Sequence, residues 1–183
     1  INNIEKINKI LSNSDYVHHN AALVPLGKSG EGFSRVNVSG TKTIINASIK
    51  QNVKMLSFMS SSAIFGTPKE MPITLNTLLN PIDIYGKSKY EADLLAQKAN
   101  MEGLNVACIR PRTVLGNERL GIFGILFDWI KDNANIYIIG SGNVLFQFLH
   151  VEDLSDFSIE VCIQKKPGVY NVGTDNFNTL KED

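Results

Sequence analysis

Long hydrophobic runs are missing from this sequence, and none approaches the ~18 residues of a membrane-spanning helix. Cysteine is scarce. Cys108 and Cys162 each lie in an apolar run ("NVACIRP", "IEVCIQ"), which excludes a disulfide framework and fits buried free thiols in a reducing compartment. Neither sign of charge is in excess, with 18 Lys plus Arg against 18 Asp plus Glu and no block of either. That balance removes the electrostatic case for a nucleic acid or an anionic membrane surface as partner. Glycine does not occur before Gly27, so no glycine-rich phosphate-binding turn can form in the opening segment. Repeats and low-complexity tracts are also absent. A soluble, cytoplasmic protein of 183 residues, one domain or most of one, is the expectation.

Two periodicities alternate along the chain. Short β-branched apolar runs occur at "DYVHHNAA", "VKMLSFMSSS", "NVACIRPRTVLG", "NIYIIG" and "GVYNVG". Helical patterns lie between them at 34–51, 84–101, 119–132 and 152–165. Continuous apolar strands separated by helices predict an α/β fold, a parallel sheet covered on both faces. The long irregular stretch "GTPKEMPITLNTLLNPID" is too extended for an idle connection and predicts a loop covering a site.

Chemistry concentrates in two segments. "SSSAIFG" (Ser60 to Gly66) precedes "YGKSK" (Tyr85 to Lys89) by 18 residues. Five tyrosines and 14 lysines give about 0.4 chance matches to Y-x-x-x-K, so the pattern alone is weak. Its position strengthens it, because residues four apart share a helix face, here above Ala92, Ala96 and Ala99. A phenol titrates near 10, so its use as a base near neutral pH needs a shift of about three units, about 4 kcal/mol. An ammonium about 4 Å away at an effective dielectric near 20 supplies about that much. A hydroxyl from Ser60 to Ser62, at a strand end, could relay the proton or hold a substrate oxygen.

With these motifs the chain resembles an extended short-chain dehydrogenase/reductase of the NAD-dependent epimerase/dehydratase type, which includes nucleotide-sugar epimerases. "DYVHHNAA" resembles that family's H-x-A-A strand end, "VNVSGT" its N-V-x-G-T helix, and "SSSAIFG" its S-S-x-x-V-Y-G, with Phe65 replacing the tyrosine. "YGKSKYEAD", "IRPRTVLG", "FLHVEDLS" and "GVYNVG" follow in the family's order. The resemblance implies a Rossmann-like doubly wound parallel sheet: residues 1–183 form a single, partial NAD(P)-binding domain, and 117–150 contribute to a small substrate-binding region. It implies NAD as cofactor, with NADP possible, and a sugar-like substrate. A homodimer is a further implication.

Carried over position by position, Tyr85 is the general base and Lys89 holds the nicotinamide ribose and lowers the Tyr85 pKa. Ser61 is the catalytic serine. Ala21, Ala22, Asn37, Ser60, Pro111 and Arg112 join Tyr85 and Lys89 as cofactor-binding positions. Ser62, Thr113 and Arg119 face the substrate. Three departures narrow the reaction. Ser62 and Ala63 follow Ser61 where 4,6-dehydratases carry Asp-Glu, which argues against dehydration. Thr113 stands where sugar epimerases often have an asparagine. Leu145 and Phe146 stand where many relatives place an arginine for the diphosphate, leaving Arg112 or Arg119 to compensate, so the substrate need not be a nucleotide sugar.

His18, His19, His150 and Asp153 have no partner at metal-ligand spacing, and the resemblance gives them structural places. "GKSGEG" fits neither G-x-G-x-x-G nor the Walker pattern and reads as a surface loop. The expectation is therefore a chain that enters the fold at its fourth strand and stops short of the family's C-terminal region. Three readings remain open: an epimerase or reductase, a non-catalytic dinucleotide-binding sensor or scaffold, and an inactive fragment.

Overall fold

In the computed structural model, which describes residues 1–25, 30, 32–116, 122–135, 142–143, 145–175 and 178–179, the apolar runs form strands and the periodic segments form helices. Four strands, β1 (Tyr16–His19), β2 (Met55–Met59), β3 (Val106–Pro111) and β7 (Gly168–Val172), pair in the order β1-β2-β3-β7. Every pairing in this sheet is parallel, with Tyr16 opposite Met55, Leu56 opposite Val106 and Ala107 opposite Gly168. The predicted doubly wound α/β architecture is the one observed. All four strands therefore end at one edge, at His19, Met59, Pro111 and Val172.

The strand period of two sorts the core into two layers. Leu56, Phe58, Val106 and Cys108 point to one face, where helices α2 (Gly40–Lys50) and α3 (Ile84–Met101) cover them. Met55, Ala107 and Ile109 point to the other and meet α5 (Val151–Ile163) through Leu154, Val161 and Cys162. The central strands are buried on both faces, which is why their sequences read as unbroken apolar runs. Ala92, Ala96 and Ala99 are buried along α3, and their small side chains let that helix lie close to the sheet.

Two features lay beyond the sequence reading. Helix α1 (Ile4–Leu11) starts at Asn3, whose side chain accepts a hydrogen bond from the Lys6 amide, and packs on α2. It has eight residues, and its Ile4, Ile7 and Leu11 recur at helical spacing, a signal the sequence reading passed over, although only Leu11 is buried. The start of the predicted helix 34–51 is a π-helical turn, Ser34–Ser39, which runs into α2 at Gly40. Beyond β3 the chain forms β4 (Thr113–Leu115), α4 (Ile122–Lys131), β5 (Leu145–Phe146) and β6 (Phe148–His150). β4 pairs with β6 in parallel, and β5 pairs with β8 (Asn178–Thr179) in antiparallel. Most of the predicted strand at 135–140 and most of the loop at 27–32 lie outside the described residues. No helix among the described residues is long and apolar enough to cross a membrane.

Candidate active site

At the end of β2 the chain turns sharply. Ser60 still bonds the Ile109 carbonyl through its amide at 2.7 Å, and Ser61 then caps a short 3-10 turn, Ser62–Phe65, by accepting from the Ala63 amide at 3.2 Å. The start of α3 is pressed against this turn. Asp83 caps the helix by accepting from the Gly86 amide at 2.6 Å. A β-carbon on Gly86 would sit 2.8 Å from the Ala63 carbonyl oxygen, so only glycine permits this approach. Gly66 closes the turn at φ +61°, where an added β-carbon would meet the Asn80 carbonyl oxygen at 2.1 Å.

This contact brings Ser61 to Tyr85. Burial raises the Tyr85 phenol above its ordinary value, and a hydrogen bond with the Ser61 side chain opposes that rise. Phe33 meets the Tyr85 ring edge-on, centroids 6.0 Å apart, and fixes its plane. One turn on, Lys89 is buried at 4 % exposure, and its ammonium donates to the Met59 carbonyl at 2.5 Å with the Phe58 ring 4.9 Å away. Burial lowers Lys89 to about 8. The expected lowering of Tyr85 by Lys89 is not what this geometry gives. The ammonium is drawn to the Met59 carbonyl, and the phenol, governed by desolvation, stands above its ordinary value.

The remaining sequence candidates divide. Asn37 is buried within the π-helical turn, and both ends of its amide are engaged. Its oxygen accepts from the Leu23 amide at 2.8 Å, and its nitrogen donates to the Leu23 carbonyl at 3.1 Å and to the Ser88 hydroxyl at 2.9 Å. It therefore holds the segment carrying Ala21 and Ala22 against α3. Ser60 turns inward: at 3 % exposure its hydroxyl donates to Asp93 at 2.5 Å, because that carboxylate is the nearby buried acceptor. Pro111 ends β3, and Arg112 follows with its amide on the Val172 carbonyl at 3.0 Å. Thr113 pairs opposite Phe148 in the small β4–β6 sheet. Arg119 lies outside the described residues.

Beside the serine turn opens a cleft of about 450 Å³, lined by Ser62, Phe65, Arg110, Arg112, Phe146 and Val172 among others. Met71, Pro72 and Ile73, from the long irregular stretch, form part of its wall. Phe146 stacks on Phe148 at 5.8 Å, and Phe123 meets Phe148 edge-on at 5.1 Å, so the wall where relatives place an arginine is aromatic here. Arg110 is paired with Asp93, while the Arg112 guanidinium has no ion-pair or hydrogen-bond partner among the described residues. The histidines have protein partners. His18 meets Ser158 at 3.0 Å, His19 meets Thr41 at 2.9 Å, and His150 caps α5.

Sequence reasoning missed Asp93. The signal was available: a carboxylate four residues beyond Lys89, on the same helix face as Tyr85, amid alanines.

The order of serine turn, tyrosine helix and later strands is a family arrangement, and the family model described as NAD dependent epimerase/dehydratase family matches residues 1–173. The chain belongs to that family. Relatives of this NAD-dependent epimerase/dehydratase family member include the uncharacterised protein y4nG of Sinorhizobium fredii, 40% identical over 177 residues, 96% of this chain and 45% of that one. The UDP-glucose 4-epimerase of Lactobacillus helveticus is 32% identical, covering 92% of this chain and 59% of its own length. Among solved structures, the Bordetella bronchiseptica enzyme WbmG in complex with NAD superposes with a TM-score of 0.85 at 21% identity, over 99% of this chain and 58% of that one. The chain thus spans about half the length of the curated relatives it matches.

The donor set suits the cofactor this family is named for. An ammonium carries three N–H donors, and Lys89 uses one on Met59, leaving two for hydroxyl groups such as those of a ribose.

Proposed function

We propose that this chain carries the catalytic Ser-Tyr-Lys site of an NAD(P)-dependent epimerase or reductase that acts on a hydroxyl or keto group of a sugar or nucleotide-sugar-like substrate. The observation that carries the reading is the meeting of Ser61 with Tyr85, with a buried Lys89 one helical turn on. NAD would supply a hydride acceptor when bound. Tyr85 accepts the proton of the substrate hydroxyl, and Ser61 holds the same oxygen in place. Lys89 offers its two remaining N–H groups to the ribose, and the Ala21–Val24 segment, held by Asn37, lines the cofactor from the β1 side. The cleft beside Ser62 receives the rest of the substrate.

Several relatives are UDP-sugar 4-epimerases by name, which supports a sugar-like substrate. The aromatic residue Phe146 leaves Arg112, among the described residues, as the cation of the cleft that could meet a phosphate or carboxylate. Ser62 and Ala63 after Ser61 leave no acid–base pair for dehydration.

The test is Tyr85→Phe in the full-length protein, assayed with a panel of UDP-hexoses and UDP-pentoses. Phenylalanine keeps the edge contact to Phe33 but cannot take a proton. A fall in kcat of about 10²–10⁴ is expected, with NAD affinity within about two-fold of the parent. Retention of more than about a tenth of kcat would remove Tyr85 as the base.

A further inference from the structure

Asp93 is the most heavily bonded side chain near the site, yet it touches neither the cleft nor Tyr85. It is fully buried, at 0 % exposure. Its Oδ2 accepts from the Ser60 hydroxyl at 2.5 Å, the Arg110 Nε at 3.0 Å and the Cys108 thiol at 3.1 Å. Its Oδ1 accepts from Arg110 Nη2 at 2.8 Å and Gln97 Nε2 at 2.5 Å. Tyr85, Lys89 and Asp93 stand four residues apart along one face of α3. Two consecutive residues at the end of β2 are gripped from that face: Lys89 holds the Met59 carbonyl, and Asp93 holds the Ser60 hydroxyl. The next residue is Ser61.

A buried ion pair adds little stability over an apolar pair of the same shape. Stability alone therefore does not account for a carboxylate at this point of the motif. We propose that Asp93 is a positioning residue: it is the buried counter-charge to Lys89 and, through Ser60, fixes the carbonyl on which that ammonium rests. The proposal depends on the reading of Lys89 as a cofactor-binding group.

The surroundings of Lys89 single Asp93 out. His19 faces it from β1, Phe58 from β2 and Cys108 from β3, while Arg110 on β3 is engaged by Asp93, and Tyr85 precedes it on α3. Burial pulls Lys89 down to about 8, while charge on Cys108 or Asp93 pushes it up. Burial also drives the Cys108 thiol well above its ordinary value, so it is uncharged near neutral pH. His19 is neutral there too, lowered to about 4 by burial and by Lys89 itself. Burial pushes the Asp93 carboxyl up, but Arg110, Ser60 and Cys108 together hold it below the usual carboxylate range. Asp93, paired with Arg110, is therefore the carboxylate that favours the protonated form of Lys89 in this pocket.

The experiment follows the titration of Lys89 in the full-length protein by NMR of 13Cε-labelled lysine, with Lys89→Met to assign the resonance. The parent midpoint is expected near 8. Asp93→Asn should lower it by about one unit, and Asp93→Glu should restore it. In parallel, calorimetry with NAD should show Kd rising between pH 6.5 and 8 by about two-fold in the parent and about eight-fold in Asp93→Asn. Should Asp93→Asn fail to fold because Arg110 is left unpaired, the double variant Asp93→Leu with Arg110→Met removes both charges, and a smaller lowering is expected, because the lost Arg110 cation no longer opposes the charge on Lys89. An unmoved Lys89 midpoint in either folded variant overturns the proposal and leaves Asp93 a structural brace. Undiminished turnover by Tyr85→Phe would instead overturn the catalytic reading while leaving the midpoint shift intact.

Discussion

His19 shows how one buried side chain is fixed by its neighbours. The Thr41 hydroxyl donates its single proton to the Asn37 carbonyl at 2.6 Å, so toward His19 it can only accept. His19 Nε2 must therefore carry the hydrogen, and the ring is neutral, with burial and the Lys89 charge holding it at about 4. The unfolded chain takes up that proton near 6.5, while the folded chain does not until about 4. Stability from this residue is thus complete above pH 6.5 and falls as pH drops toward 4, by about 3 kcal/mol in all. His19→Gln keeps a donor for Thr41 but has no titrating ring. Urea denaturation at several pH values should show a flatter slope between pH 6.5 and 4 for this variant, and an unchanged slope would mean that other groups carry the acid sensitivity.

Helix α3 is placed by how it begins. The Asp83 cap, Gly86 and the 3-10 turn Ser62–Phe65 form one contact, and Tyr85 sits between the cap and the glycine. Adding a side chain at Gly86 drives it against a backbone carbonyl, which cannot rotate away as a flexible side chain could. Gly86→Val is expected to cost about 1–3 kcal/mol in denaturant titrations, the range for overpacking a tight contact. It should also move Tyr85 off Ser61, so kcat should fall by more than the loss of folded protein explains. Comparable activity per folded molecule would show that the helix start tolerates displacement. The motif was plain in the sequence as Y-x-x-x-K, whereas the role of the glycine inside it emerges only when the turn from β2 is seen against it.

Across the whole molecule, the candidate cofactor-binding groups lie at the ends of β1, β2 and β3 and on α3, and the 183 residues contain no glycine-rich turn of the dinucleotide-binding pattern. Such a turn supplies backbone N–H groups to a pyrophosphate. Losing two or three charge-assisted hydrogen bonds at about 1.5–3 kcal/mol each weakens binding by several powers of ten. Residues 1–183 alone are therefore expected to bind NAD no better than about millimolar, and a longer natural chain in the micromolar range. Calorimetry on both decides it, and micromolar binding by the short chain would show that the groups at the three strand ends suffice. The short chain should also be poorly soluble. β1 forms an edge of the parallel sheet, and α4 exposes Ile125, Phe127, Trp129 and Ile130.

The sequence by itself determined the parallel α/β fold and its four main strands, and it put Ser61, Tyr85 and Lys89 forward as candidates. These are written locally, in unbroken apolar runs, in a helical spacing of four and in a serine-rich strand end. Tertiary structure decided which way each group faces. Ser60 and Ser61 are neighbours in sequence, but one turns to Asp93 in the core and the other to Tyr85, because the backbone twists at the end of β2. Lys89 bonds a strand carbonyl rather than lowering the phenol beside it, and Asn37 clasps Leu23 from within a π-helical turn. The Asp93 cluster unites residues from three separate segments and the cleft from five. Such groupings depend on strand pairing and helix docking, long-range contacts that no local pattern of residues records.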